Sequence, residues 1–171
     1  MPITLATLAP AQIDWFRHRK AMGPAPSPSE LDLDDANAMP RDAAFVALQV
    51  AYRSRGGLAS GEELAVSMSR TGGDGYVALA RRLVAGQLFS FRWHDRFWVP
   101  RFQLHPVSMA PRAAPVAVLD ELFGVFDGWS LAHWFVHRHD DLDGERPLDL
   151  LDTDLPAVLA AARTDRYAVD A

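Results

Sequence analysis

The spacing of apolar residues changes several times along this chain, and each change marks an element. Ile13, Trp15 and Phe16 predict a short helix over Ala9–Met22. Pro24, Pro26, Pro28 and Pro40 then surround Asp32, Asp34 and Asp35, the composition of a linker or arm. Phe45, Leu48 and Tyr52 recur at i, i+3 and i+7, which predicts a helix over Arg41–Arg55 that ends in basic residues and Gly56-Gly57. Ser60-Gly61-Glu62-Glu63 has the spacing of a capping box and opens a helix that turns Leu64 and Met68 inward. Thr71-Gly72-Gly73 is a turn. Asp74 is placed to cap a third helix whose stripe is Val77, Ala80 and Val84, widened by Tyr76, Leu79 and Leu83, with Gly86 closing it.

From Leu88 to Leu104 the period falls to two. Phe89, Phe91 and Trp93 alternate with Ser90, Arg92 and His94, His94-Asp95-Arg96 forms a turn, and Phe97, Trp98, Val99 and Phe102 supply the return strand. Pro100 lacks a ladder donor, so that strand should lie at an edge or bend there. Three short helices followed by a hairpin resemble a winged helix. A Pro-containing connector, His105–Pro115, precedes an amphipathic helix through Val116, Leu119, Phe123 and Phe126 that ends near Asp127-Gly128. Ser130 caps the next helix, which presents Leu131, Trp134 and Phe135. After the acidic corner Asp140–Glu145, Arg146-Pro147 starts a helical turn. Thr153 or Asp154 caps a last helix, Leu155–Arg163, and Tyr167–Ala171 reads as a loose tail.

Bulk composition narrows the classes. The 171 residues are 49% apolar and 23% charged, ordinary for a globular chain with one core or two small ones. The absence of Cys removes disulfides, thiol nucleophiles and thiolate metal sites. Met1–Pro10 has no secretory signature and no apolar run reaches a membrane span, so a cytoplasmic protein without membrane contact is expected. The net charge of −5 hides an asymmetry: residues 1–40 carry −2, residues 41–112 carry ten Arg against five acids, and residues 113–171 carry four Arg against twelve acids. Different partners for the two halves, or attraction between them, would each explain the split.

The candidate chemistry is thin. His133, His137 and His139 share a helix end but lack the His-Glu-x-x-His frame of a zinc site. Asp140, Asp141, Asp143, Asp149, Asp152 and Asp154 do not reproduce a Ca²⁺ loop, and Arg146-Pro147 falls where ligands would be needed. Gly72-Gly73-Asp74-Gly75 lacks the Lys and hydroxyl of a phosphate-binding loop, and no serine elbow is present. No catalytic residue, metal site or cofactor is therefore assigned, and an enzyme is not expected.

One resemblance does emerge. Trp134-Phe135 followed by Leu142-Asp143-Gly144-Glu145-Arg146-Pro147-Leu148-Asp149-Leu150-Leu151-Asp152-Thr153 resembles the C-terminal toxin-binding domain of the Xre/MbcA/ParS antitoxins. Upstream, Trp98-Val99-Pro100-Arg101-Phe102-Gln103-Leu104 is similar to that family's aromatic-x-Pro-x-Phe-Gln-Phe segment. The two matches span about residues 60–163. The resemblance implies a bacterial antitoxin that neutralises an NAD⁺-consuming RES-domain toxin by covering its active site and that binds its own operator DNA. The chain departs from the pattern in its helix-turn-helix, in its first 40 residues, and at Leu155-Pro156, where many members carry Gly.

The expected architecture is mainly α with a small β-hairpin: an N-terminal helix and arm (1–40), a winged-helix-like module (41–112) and a C-terminal helical toxin-binding-like domain (113–171). A homodimer is expected. Trp129, Asp143, Glu145, Arg146 and Asp149 are the candidate toxin contacts, and Arg81, Arg92 and Arg96 with Arg82 the candidate DNA contacts. Trp134, Gly144, Pro147, Leu148 and Leu151 are assigned to architecture, with Gly144 supplying a positive φ and the leucines packing beneath Trp134. The alternatives are a transcriptional regulator without a toxin partner and a solitary interaction module.

Overall fold

Helix α1 covers residues 41–52 and tightens into a 3₁₀ turn, Arg53–Arg55, which Gly56 stops at φ +92°. The structure, a computed structural model, describes residues 41–170; the expectations for Ala9–Met22 and the arm to Pro40 lie outside them. Strand β1 (Leu58–Ser60) follows and runs directly into α2 (Gly61–Ser69). The junction is the expected capping box: Glu63 N–H donates to Ser60 Oγ at 3.2 Å, and Ser60 N–H donates to Glu63 Oε2 at 2.9 Å.

Asp74 caps α3 (Gly75–Val84) by accepting from Tyr76 and Val77 N–H at 3.0 and 3.3 Å. The α2–α3 approach is very close, since a Cβ at Gly75 would lie 1.8 Å from Ala65 O. Ser69 Oγ locks it, donating to Ala65 O and accepting from Gly75 N–H. This contact sets the rotation of α3 and corrects the expected stripe. Gly75 and Leu79 are buried, while Tyr76 and Val77 are 59% and 51% exposed.

The hairpin joins β2 (Phe91–Trp93) to β3 (Arg96–Pro100) through His94-Asp95, with His94 at φ +50°. Strand β1 pairs with the other side of β3, giving the antiparallel order β1-β3-β2. β3 is therefore central rather than an edge, and Pro100 is its last residue, where the chain bends into a 3₁₀ turn at Arg101–Gln103. Alternation gives the sheet two buried faces. Ala59 and Val99 join Leu64, Met68, Leu79 and Leu88 beneath α2 and α3. Phe91, with Leu58, Trp93 and Trp98 against it, joins Phe45, Leu48 and Tyr52 of α1 and the helices that follow.

Helix α4 (Ala113–Leu122) starts and stops earlier than expected. Pro115 sits in its first turn, its buried side is Val118, Leu119 and Leu122, and Phe123 and Gly124 end it with Phe123 left 40% exposed. Asp127, not Ser130, caps α5 (Gly128–Val136), accepting from Ser130 N–H at 2.7 Å. A 3₁₀ turn (Asp140–Leu142), the short α6 (Pro147–Leu150) and α7 (Leu155–Asp170) complete the described chain. α7 packs on α4 and continues through the stretch expected as a tail.

The described residues are mainly helical with one small antiparallel sheet. The expected boundary at 112/113 is crossed by a shared core, and Arg41–Ala171 forms one compact unit. Tyr52 and Phe102 stack at 5.6 Å, Phe102 meets Phe135 at 4.9 Å, and Phe89 stacks on Phe135 at 5.7 Å. Tyr52 Oη donates to Ala132 O at 2.7 Å, and burial pushes its ionisation well above the ordinary value. No helix among the described residues is long and apolar enough to cross a membrane.

Candidate functional site

The Gly-x-Arg-Pro corner is built by consecutive left-handed residues, Asp143 at φ +54° and Gly144 at φ +77°. His139 N–H donates to Glu145 O and Gly144 N–H donates to His139 O, both at 3.0 Å, which closes the loop on itself. Pro147 then starts α6, and Leu148 and Leu151 are buried with Trp134. Asp165 of α7 holds the assembly from behind. Its Oδ2 accepts from Trp134 Nε1 at 2.6 Å and lies 2.8 Å from His139 Nε2, while His139 Nδ1 accepts from Asp141 N–H.

This bracing points the side chains of Asp140, Asp141, Asp143 and Glu145 into solvent. None of these carboxylates has an ion pair among the described residues. Arg138 is the neighbouring cation, and its Nη1 donates to Gly144 O at 2.8 Å.

The other candidate toxin contacts are committed elsewhere. Arg146 Nε donates to Asp149 Oδ2 at 2.6 Å, and Asp149 also faces Arg55 at 3.7 Å. Trp129 donates from Nε1 to Arg92 O at 2.7 Å and packs on Phe91 at 4.9 Å, so it fastens α5 to the hairpin rather than facing a partner. A Cβ at Gly128 would lie 2.0 Å from Ser90 O, so glycine is required for that close approach.

The four arginines assigned to DNA do not form one surface. Arg81 is exposed on α3, one turn from exposed Val77. Arg82 is spent internally: its Nη1 donates to Met109 O and approaches Met68 Sδ at 3.6 Å. Arg92 is opposite Phe97, on the sheet face that meets α2, whereas Arg96 is opposite Trp93, on the α1 side. The tip of the hairpin is tied to α1, since Trp93 Nε1 donates to Asp42 Oδ1 at 2.9 Å and His94 Nε2 lies 3.3 Å from it. Arg81, Arg92 and Arg96 have no ion pair among the described residues.

Sequence reasoning missed Gln103 as a structural hub, although it lies in the Pro-x-Phe-Gln block. Gln103 is fully buried; its Oε1 accepts from Phe89 N–H at 2.8 Å, and its Nε2 donates to Phe89 O and Pro100 O at 3.1 Å. A side-chain amide here does the work of a strand partner for Phe89. The three histidines do not converge. His133 stacks between Trp129 and His137 at 5.9 and 5.1 Å, and burial, then the charge of His137, hold its pKa below the ordinary value. Among the described residues no group of three His, Asp or Glu is arranged to hold a metal ion.

Comparison of the chain with family models, curated proteins and solved structures returns no match. The functional reading therefore rests on the residues themselves.

Proposed function

We propose that the protein is a stoichiometric binding protein of antitoxin type, with a winged-helix module for operator DNA and a C-terminal surface for a RES-domain toxin. The observation that carries this reading is where unpaired charge remains. Among the described residues, exposed carboxylates without ion pairs gather at the Asp140–Glu145 corner, while the exposed, unpaired arginines Arg81 and Arg92 belong to α3 and the hairpin. The corner is also the centre of the resemblance to the Xre/MbcA/ParS toxin-binding domain. Rigid bracing of the loop before binding lowers the ordering cost of a partner contact.

The winged-helix part is supported by element order. Helix, strand, two helices joined by a glycine turn, and a hairpin, with sheet order β1-β3-β2, favour that module over a plain helical bundle. α3 would be the recognition helix, with Tyr76, Val77 and Arg81 exposed. The protein would act in the cytoplasm, as a homodimer matching a two-fold operator.

Co-expression with a RES-domain toxin encoded beside it tests the reading. A stable complex and rescued growth are expected, and Asp143→Lys with Glu145→Lys should weaken the complex without unfolding the protein. Absence of a complex together with operator binding would instead favour a regulator without a toxin partner.

A further inference from the structure

A hollow of about 420 Å³ opens where the 3₁₀ turn after α1, the turn after β3 and the loop after α6 meet. Its polar wall holds three guanidinium groups, Arg55, Arg101 and Arg112, against one carboxylate, Asp152. Leu104 and Met109 contribute apolar lining. The volume suits a small organic molecule rather than a water or a lone ion.

Asp152 already shows the geometry that an oxyanion would take. Arg55 Nη1 lies 3.3 Å from its Oδ2, and Arg112 Nη2 donates to its Oδ1. Arg112 is held in place, because its Nη1 donates to Phe102 O at 2.9 Å. Asp149 reaches Arg55 at 3.7 Å and compensates part of that charge. Arg101 is different. Its side chain has no hydrogen bond or ion pair among the described residues, although Glu62 and Glu63 line an adjoining hollow that it also borders. Its stem rests on Gly56, where a Cβ would come within 3.2 Å of Arg101 Cβ. Guanidinium groups recognise carboxylates and phosphates through paired N–H donors, and partial burial strengthens the contact.

We propose that this hollow binds a small organic oxyanion, a phosphomonoester or carboxylate with a short apolar body. Arg101 supplies the uncompensated cation, and Asp152 is an internal competitor that the ligand partly displaces from Arg55 and Arg112. The site stands independently of the antitoxin reading. Because Asp152 follows the Gly-x-Arg-Pro block and Arg55 also contacts Asp149, occupancy would reach the ion pairs beside that corner.

Calorimetric titration of the full chain with phenyl phosphate, benzoate and inorganic phosphate tests this. Saturable one-to-one binding of phenyl phosphate or benzoate is expected, tighter than that of inorganic phosphate, and whichever binds more tightly identifies the oxyanion. Arg101→Ala should weaken binding by about tenfold, the loss of one charge-assisted contact. Asp152→Asn should tighten it, because the competing charge is removed while the shape is kept. Arg163→Ala, on α7 and outside the hollow, should leave it unchanged. Circular dichroism establishes that each variant is folded, and Arg101→Lys, with charge but no fork, should fall between wild type and Arg101→Ala. The proposal is overturned by no saturable binding at millimolar ligand, by binding of inorganic phosphate alone, by equal losses in Arg101→Ala and Arg163→Ala, or by weaker binding in Asp152→Asn.

Discussion

The α2–α3 pair and the Gly144 corner both depend on glycine and on short polar side chains, but for opposite reasons. At Gly75 the constraint is space: the helix passes so close to Ala65 O that no Cβ fits. At Gly144 nothing lies within 4 Å of the missing Cβ, and the constraint is the positive φ of +77°. The first glycine brings two helices together over a buried apolar cluster. The second shapes a loop whose side chains remain in water. A region held by packing tolerates little change, whereas a region held by backbone conformation leaves its surface free for partners.

Gly75→Ala should give the largest effect. The α2–α3 contact must open, costing about 3 kcal/mol or more, read as a lower denaturant midpoint. Gly144→Ala should cost only about 1–2 kcal/mol by the same measurement, since the strain is conformational. A larger loss at Gly144 than at Gly75 would reverse the contrast.

Gln103→Leu comes next. It strands the N–H and C=O of Phe89, and about 2–4 kcal/mol should be lost in chemical denaturation. That outcome would mark the Pro-x-Phe-Gln block as architecture. A near-neutral result would mean that Phe89 finds another partner.

The arginines sharpen the comparison further. Arg92→Ala should lower the slope of log affinity against log salt for operator DNA by about one, at little cost in stability. Arg82→Ala should leave that slope alone and destabilise the fold, because its guanidinium is bonded to Met109 O. Equal slope changes would return Arg82 to the DNA surface.

The smallest effect is one of pH. His133 in the folded chain resists protonation because of burial and His137. The unfolded chain therefore binds more protons as pH falls through the ordinary histidine value of about 6.5, and stability should decline below it. His133→Gln should flatten this part of a pH–midpoint curve. An unchanged curve would show that the stacked pair does not contribute.

Much of the fold was legible where the signal was local. The Ser60 capping box, the Asp74 cap, the Gly56 and Gly86 stops and the His94-Asp95 turn each depend on residues within a few positions of one another. β1 was not legible, since three residues carry no usable alternation and pairing with β3 defines it. The stripe on α3 was misjudged for a related reason. Tyr76, Val77 and Leu79 are all apolar, and only the α2 contact at Gly75 decides which of them turns inward.

The candidate surfaces divide in the same way. From sequence alone came the charge asymmetry, the acidic corner with its positive φ at Gly144, and Pro147 as a helix start, because composition and local backbone chemistry determine these. Which charges remain available was decided by tertiary structure alone. Arg82 and Asp149 carry the same formal charges as Arg81 and Asp143, yet the first two are bound to neighbours and the others face solvent. Trp129 likewise became a fastener only when α5 met the hairpin. Such pairings join residues as far apart in the chain as Arg55 and Asp152. An isolated residue carries its charge with it, but its partner is supplied by the fold.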